Sequence, residues 1–299
     1  MNPINEKRVA YFYEAVMLGT IRAAADKLNV APSAVSRQIS MLEEELGCVL
    51  IERHRKGVAT TDAGGIVLKY YRESISNQEA CLTSLESLHG LQSGHIKLAV
   101  GEGFIGDLMS GPLPQFQAQY PELTFSVTLG GSNDVIRKVE QDEVHIGLLF
   151  HPSKHPNIRS QSIVLKPICA IVPPDHPLTT VDTPVTLETL LEYPIGLQDV
   201  DYGVRQLIGM AEFQQRIRFH PKLTTDSIAV LKHFVRSGMG VTLLPEFVVA
   251  REVADGQLVA IPIAHPILQQ GEVHLITRLG RQLSEGPQKL VQHLKRWLG

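Results

Sequence analysis

Pro32-Ser33-Ala34-Val35-Ser36-Arg37-Gln38 gathers the side chains of this sequence best suited to reading base edges. Arginine pairs bidentately with guanine, glutamine with adenine, and serine bonds either a base or a phosphate. Val35, Ile39, Leu42 and Leu46 have the spacing of one buried helical face. The same helix then turns Ser33, Ser36, Arg37 and Gln38 outward near its N-terminus. Ala31 and Pro32 open it, with proline in the first turn where a missing N–H costs nothing. Downstream, Glu52-Arg53-His54-Arg55-Lys56-Gly57 separates two short apolar runs, Val49–Ile51 and Val58–Thr60. Such a hairpin tip sets Arg53, Arg55 and Lys56 over phosphates and a neighbouring minor groove. An ordinary helical pair in a core would give this polar set no purpose.

Other reactive residue types are present but poorly arranged. His151 and His155 have helical i, i+4 spacing, yet Pro152 and Pro156 break the helix that would align them, and no acidic or thiol ligand follows at motif spacing. Neither a metal nor a cofactor is expected. Cys169 lies in an apolar run and reads as an inert core thiol, while Cys81 has no resolving cysteine near it in sequence. The glycines of Gly101-Glu102-Gly103-Phe104-Ile105-Gly106 fit a dinucleotide string, but Phe125–Leu129 is apolar where an acidic residue should end the next strand. No GxSxG, Walker loop or HExxH is found. His151 with Glu102 is the one acid–base pair available to an enzyme, and nothing in the sequence places them together. The expectation is a chain that is not an enzyme. A solute-binding or enzymatic two-lobed protein is the alternative, and it leaves the first ninety or so residues unexplained.

Positioning these groups takes ordered elements. A chain of 299 residues predicts about two domains. The net charge of −3 argues against coating nucleic acid by bulk charge, so any such contact is local. Three scattered cysteines predict a reducing, cytoplasmic location. No apolar run approaches the roughly 20 residues of a membrane span, and Glu6 and Glu14 interrupt what a secretion leader would require. Glu6–Leu18 carries Val9, Phe12, Tyr13, Val16 and Met17 on one helical face. Thr20 is positioned to cap Ile21–Leu28, and the small residues Ala23-Ala24-Ala25 permit a close helix crossing. The helix-turn-helix motif so formed is expected to span about Ile21 to Met41, with the third helix continuing to Leu46 before Gly47 ends it. Glu43-Glu44-Glu45, at its far end, are expected to be repelled by phosphate. Residues 62–89 place Leu68, Tyr71, Ile75, Gln78, Leu82 and Leu85 at alternating spacings of three and four, a coiled-coil seam. A helix of roughly 42 Å with so polar a circumference is expected to pair with a second copy of itself.

From residue 95 onward, strands alternate with helices. Strands are expected at His95–Val100, Thr124–Leu129, His145–Phe150, Cys169–Val172, Lys222–Thr224, Val241–Leu244 and Glu272–Thr277. Helices are expected at Phe104–Tyr120, Asp134–Gln141, Ser227–Ser237 and Pro287–Trp297, with a further segment of unassigned type at Gly203–Phe213. This α/β pattern predicts two lobes, each a mainly parallel sheet covered by helices on both faces.

The N-terminal pattern resembles the LysR-type transcriptional regulators. The shared residues are Phe12, Val16, Gly19-Thr20, Ala23-Ala24-Ala25, Leu28, Pro32 through Ile39, Leu42-Glu43, Leu46-Gly47, Leu50, Arg53, Thr61 and Ala63-Gly64. Ile21 and Ile51 stand where that family often has Phe, and the position of Pro32, inside the matching run, is often Gln there. The resemblance implies a winged helix-turn-helix over residues 1–61, a dimerising linker helix over 62–92 and an effector-binding domain over 93–299. That last domain would resemble type 2 periplasmic binding proteins. Its first lobe would span about 93–163 and 267–299, and its second about 164–266. The resemblance also implies double-stranded promoter DNA as partner, a homodimer that assembles into a homotetramer, an influence on RNA polymerase, and no membrane. Ligands of such lobes lie beyond the carboxyl ends of strands. That rule selects Glu102, Gly103, Phe104, Ser132, Asn133, Phe150, His151, Tyr202, Gly203, Thr225 and Asp226. Gly103, Gly130 and Gly131 could equally serve tight turns alone. Helix N-termini favour a carboxylate and Glu102, Asp201 and Asp226 favour an ammonium. The expected effector is therefore a small carboxylate or an amino-acid-like metabolite.

Overall fold

The computed structural model describes residues 4–54, 57–88, 94–181 and 184–299. Its contacts divide into two compact units, Met1–Leu82 and Thr83–Gly299. The first unit opens with α1 (Glu6–Met17), α2 (Ile21–Leu28) and α3 (Pro32–Leu46). Thr20 caps α2 as expected, its hydroxyl accepting from the Ala23 N–H at 3.1 Å. Asn29 and Gly47, both left-handed, end α2 and α3. The motif expected over Ile21 to Met41 starts where α2 starts, but Met41 marks no structural boundary. It is a half-buried residue inside α3, which runs five residues further to Leu46. The helix continues because Leu42, next to Met41, is fully buried and no glycine or proline precedes Gly47 to stop it. Ala24 and Ala25 are fully buried beside Val9, Phe12, Val35, Ile39 and Leu42. Their small side chains let the helices pack closely enough for that core to close.

The wing pairs β1 (Ile51–His54) with β2 (Gly57–Thr60) antiparallel, Arg53 opposite Val58. The first strand starts later than Val49 because the chain before it is held from outside. The Glu43 carboxylate accepts from the Leu50 and Ile51 N–H groups at 2.8 and 3.3 Å, and the Thr61 hydroxyl donates to the Val49 carbonyl at 2.7 Å. Two of the three glutamates expected to repel phosphate are thus engaged within the unit, since Glu45 pairs with Arg8. Arg55, Lys56 and the side chain of Arg53 lie outside the described residues.

The long helix α4 (Asp62–Leu88) corrects the expected seam. Val67 and Leu68 join the first unit's own core, and Tyr71 packs on Tyr13. Leu82 and Leu85 remain about half exposed. An alternation of three and four describes a helix packed on its own unit as well as one packed on a copy, and α4 does the former along its first turns.

The second unit has two sheets. The first lobe is built by β3 (Gly94–Val100), α5 (Ile105–Ser110), α6 (Pro112–Gln119), β4 (Leu123–Leu129), α7 (Ser132–Glu140), β5 (Ile146–Phe150) and β6 (Ile158–Leu165). The chain then crosses into β7 (Ile168–Val172), α8 (Leu187–Leu190), β8 (Ile195–Gln198), α9 (Gly203–Gln215), β9 (Leu223–Thr225), α10 (Ile228–Arg236), β10 (Val241–Pro245), α11 (Ala250–Ala254) and β11 (Val259–Pro262). It returns through β12 (Glu272–Arg278) and ends on α12 (Glu285–Leu298). Strand orders are β4-β3-β5-β12-β6 and β11-β7-β10-β8-β9. Within each sheet one strand runs against the rest, β12 in the first lobe and β7 in the second. These are the strands that follow the two crossings, so the expected mainly parallel sheets hold except where the chain changes lobe.

The expected helix Phe104–Tyr120 is broken in two. Gly111 leaves the helical region and Pro112 starts α6, because proline cannot donate to the preceding turn and disfavours a helical residue before it.

Gly64 and Gly65 separate space from propensity. A methyl group on Gly64 would overlap the Leu50 carbonyl oxygen, whereas one on Gly65 meets nothing within 4 Å. Gly64→Ala is expected to lower the stability of the first unit by about 1–3 kcal/mol. Gly65→Ala, inside a helix, should raise it by about 0.5–1 kcal/mol. Urea denaturation followed by helical circular dichroism on the full chain checks both signs.

Candidate DNA-reading face and effector cleft

On α3, burial of Val35, Ile39 and Leu42 leaves Ser33, Arg37, Ser40 and Glu44 as the exposed stripe on the opposite side. Ala31 and Pro32 are exposed at its start, and Ser36, Gln38 and Met41 lie half-buried on its flanks. Ser40 was not selected from sequence, although its spacing from Ser33 and Arg37 puts it on their side. Among the described residues the Arg37 guanidinium has no ion-pair partner. Arg8 and Lys27 of the same unit, by contrast, are held by Glu45 and Glu14. Gly57 keeps the wing close to the helical core: the neighbouring Val58 N–H donates to the Gly19 carbonyl at 2.8 Å, and a side chain on Gly57 would collide with that carbonyl.

In the second unit the carboxyl ends of β3, β5, β8 and β10 face a small solvent-connected space of about 40 Å³ between the lobes. Glu102, Gly103, Phe104, Ser132, Phe150, Tyr202 and Gly203 of the expected set line it. Asn133, His151, Thr225 and Asp226 do not. Asn133 and Asp226 face solvent, and the Thr225 hydroxyl accepts from the Ser227 N–H at 3.1 Å. His151 sits in a left-handed conformation. Burial, and next the charge of Glu272, act in opposite directions on its imidazole, and the net effect is a lowered pKa. The Glu102 carboxylate is engaged elsewhere, so the pair an enzyme would need is not assembled. Gln198, Ile228, Phe247 and Val248 also line the space. Gln198 ends β8, a strand not read from sequence. Phe247 and Val248 follow β10, where the strand-end rule could have found them.

Two polar contacts join the lobes across this space. The Ser132 hydroxyl donates to the Phe150 carbonyl at 2.9 Å and accepts from the Gly203 N–H at 3.1 Å. The Glu102 carboxylate accepts from the Ser227 hydroxyl and from the Ile228 and Ala229 N–H groups at 3.1, 2.6 and 3.1 Å. Phe104 stacks on Phe247 with ring centres 5.1 Å apart. Gly203 admits no side chain because a Cβ there would overlap the Phe150 carbonyl. A Cβ built on Gly103 or Gly131 would come to 3.0 Å from Val248 or Asp201 of the other lobe. Close approach of the lobes, rather than turn geometry, selects glycine at these positions. Tyr202 is a phenol kept protonated: burial pushes its pKa up, and the carboxylates of Asp226, Glu102, Asp199 and Asp201 add to this.

Among the described residues no group of three His, Cys, Asp or Glu could hold a metal ion, and no described helix is long and apolar enough to cross a membrane. Burial pushes the Cys169 thiol up to about 11, which fits an unreactive core group.

A helix-turn-helix unit with an exposed polar stripe around Arg37 and a two-lobed ligand-binding unit define a DNA-binding regulator that carries its own small-molecule sensor. Residues 7–65 match the model of the bacterial regulatory helix-turn-helix protein, lysR family, and residues 89–299 match the LysR substrate binding domain. The chain belongs to the LysR-type transcriptional regulators. It is 27% identical over 266 residues to a RuBisCO operon transcriptional regulator of Allochromatium vinosum, covering 87% of this chain and 85% of that one. It is 24% identical over 283 residues to the transcriptional activator CmpR of Synechocystis, covering 92% and 90%. A full-length OxyR variant from Pseudomonas aeruginosa shares the fold with a TM-score of 0.69 at 17% identity, covering 98% of each chain. The Synechocystis CcmR regulatory domain in complex with 2-PG aligns with a TM-score of 0.62 at 19% identity, over 69% of this chain and 98% of that one.

Ser132→Ala removes one hydroxyl that serves two buried backbone groups. The variant is expected to lose about 1–3 kcal/mol of stability in the second unit, whereas Asn133→Ala should leave it unchanged. Urea unfolding of the two variants side by side provides the comparison.

Proposed function

We propose that α3 reads promoter DNA through Ser33, Ser36, Arg37 and Gln38, with Ala31 and Pro32 lying against the groove edge. Arg53, Arg55 and Lys56 of the wing contact the adjoining phosphates. The observation that carries this reading is the exposed, unpaired Arg37 on a helix whose other face is fully packed. Two such helices, one from each copy, would enter successive major grooves roughly 34 Å apart. The division of labour is residues 1–61 for DNA, 62–92 for pairing and 93–299 for sensing. Pairing runs along α4, where Ile66, Tyr70, Leu82 and Leu85 remain exposed. Two dimers form the tetramer, and the regulator works in the cytoplasm by altering access of RNA polymerase to the promoter.

The effector is a small metabolite bound in the cleft. Glu102, Gly103, Phe104, Ser132, Phe150, Tyr202 and Gly203 contribute to its walls, with Asn133, His151, Thr225 and Asp226 around the rim. The cleft lining contains no lysine, arginine or histidine, while Asp199, Asp201 and Asp226 stand near Tyr202. Of the two expected chemistries this favours the amino-acid-like one, its amino group toward the acidic side. The complex of CcmR with 2-PG and that of the QuiR effector binding domain with shikimate support a small ligand in this fold. Binding shifts the lobe arrangement only as far as the effector prefers one arrangement over the other.

Arg37→Ala is expected to weaken binding to the specific operator by about 1–3 kcal/mol while relaxing specificity. Equal weakening on every duplex, seen in parallel gel shifts with operator and random DNA, would reassign Arg37 to a phosphate. Deleting residues 62–89 is an unsuitable test of pairing because Val67 and Leu68 belong to the first unit's core. The double variant Leu82→Arg, Leu85→Arg leaves that core intact and is expected to raise the dimer dissociation constant at least tenfold by analytical ultracentrifugation. An unchanged constant would remove this end of α4 from the interface.

A further inference from the structure

Glu102 lies just beyond β3 in the first lobe, yet its carboxylate bonds the opening of α10 in the second. Ile228 and Ala229 offer two N–H groups of the helix's first turn, and Ser227 adds its hydroxyl, all within 3.1 Å. Such N–H groups have no partner inside their own helix and attract anions, aided by the helix dipole. In this chain the anion is built in. A second observation shows that the same space is prepared for a ligand. Gln198, only 4% exposed, lines it, and among the described residues its side-chain amide has no hydrogen-bond partner. Its amide atoms are not sealed from solvent, so a ligand in the cavity can bond them without displacing a protein partner. The cavity therefore has one polar position already filled by Glu102 and another, at Gln198, left open.

We propose that Glu102 is a tethered ligand: its carboxylate occupies the anion position of α10, clasps the two lobes together without an effector, and excludes any external carboxylate from that position. The effector's polar contacts are then made at Gln198 and Tyr202, and its anionic group, where it has one, lies away from α10. This rests on the reading of the cleft as the effector site. The clasp itself can be tested without knowing the effector.

The experiment is amide hydrogen exchange on the full chain, with formate as probe. In the unaltered protein the Ile228 and Ala229 amides should exchange slowly, and added formate should change nothing, because mass action needs a vacant site. In Glu102→Ala the two amides should exchange at least tenfold faster. Formate should slow them again, while chloride at equal ionic strength should not. Glu102→Gln keeps the side-chain volume but turns one oxygen into a donor. It should speed exchange at one of the two amides and gain no response to formate, and it serves as the readout should the alanine variant fold poorly. Unchanged exchange in both variants, or formate slowing the unaltered protein as much as Glu102→Ala, overturns the proposal. A cleft that binds no metabolite would defeat the effector reading while leaving the formate result intact, so the two failures are distinguishable.

Discussion

Helix N-termini of the second lobe are satisfied by side chains of the first, and the cleft takes its form from that exchange. The opening N–H of α9 bonds Ser132, and the first turn of α10 bonds Glu102. Each acceptor must come within hydrogen-bond distance of a main-chain group in the other lobe, which forces the backbones together. Glycine follows at Gly103, Gly131 and Gly203, where a Cβ would press into the opposite lobe. A hydrogen bond to a charged acceptor contributes more than a neutral one, about 1.5–3 kcal/mol. The Glu102 contact is therefore the stronger of the two clasps.

What the sequence made legible follows from how local each signal is. Thr20 as a cap, Gly47 as a stop and the inward face of α3 each depend on neighbours within a few residues, and all three stand in the structure. Ser132, Gly203 and Glu102 were found through the general rule for strand ends, which needs only the order of elements. Their partners were not legible. The acidic triplet at Glu43 reads locally as repulsion from phosphate, but the N–H groups of Leu50 and Ile51 fold back to use one carboxylate. Glu102 reads as a counter-charge for an ammonium until α10, distant in sequence, is brought against it. Gln198 was missed because β8 has four residues, all buried, with no alternation to mark a strand. The break at Gly111-Pro112 was visible, but the apolar spacing of Leu113 and Phe116 continues through it and masks the change of axis.

The long helix shows how one pattern can hold two meanings. Leu68 and Leu82 occupy equivalent seam positions two heptads apart, yet the first is buried within its own unit and the second is exposed. Their difference arises from what surrounds them. Near Leu68 the three-helix core supplies an apolar wall, while at Leu82 the described residues supply none. Fully burying a leucine is worth about 1.5–3 kcal/mol, and residues already half-buried return about half of that. Leu82 and Leu85, on one side of the helix, contribute roughly 4 kcal/mol from two copies together. Association of two proteins costs an estimated 4–15 kcal/mol before any contact is counted. The described apolar residues of that seam would therefore orient a second copy without holding it by themselves at low concentration.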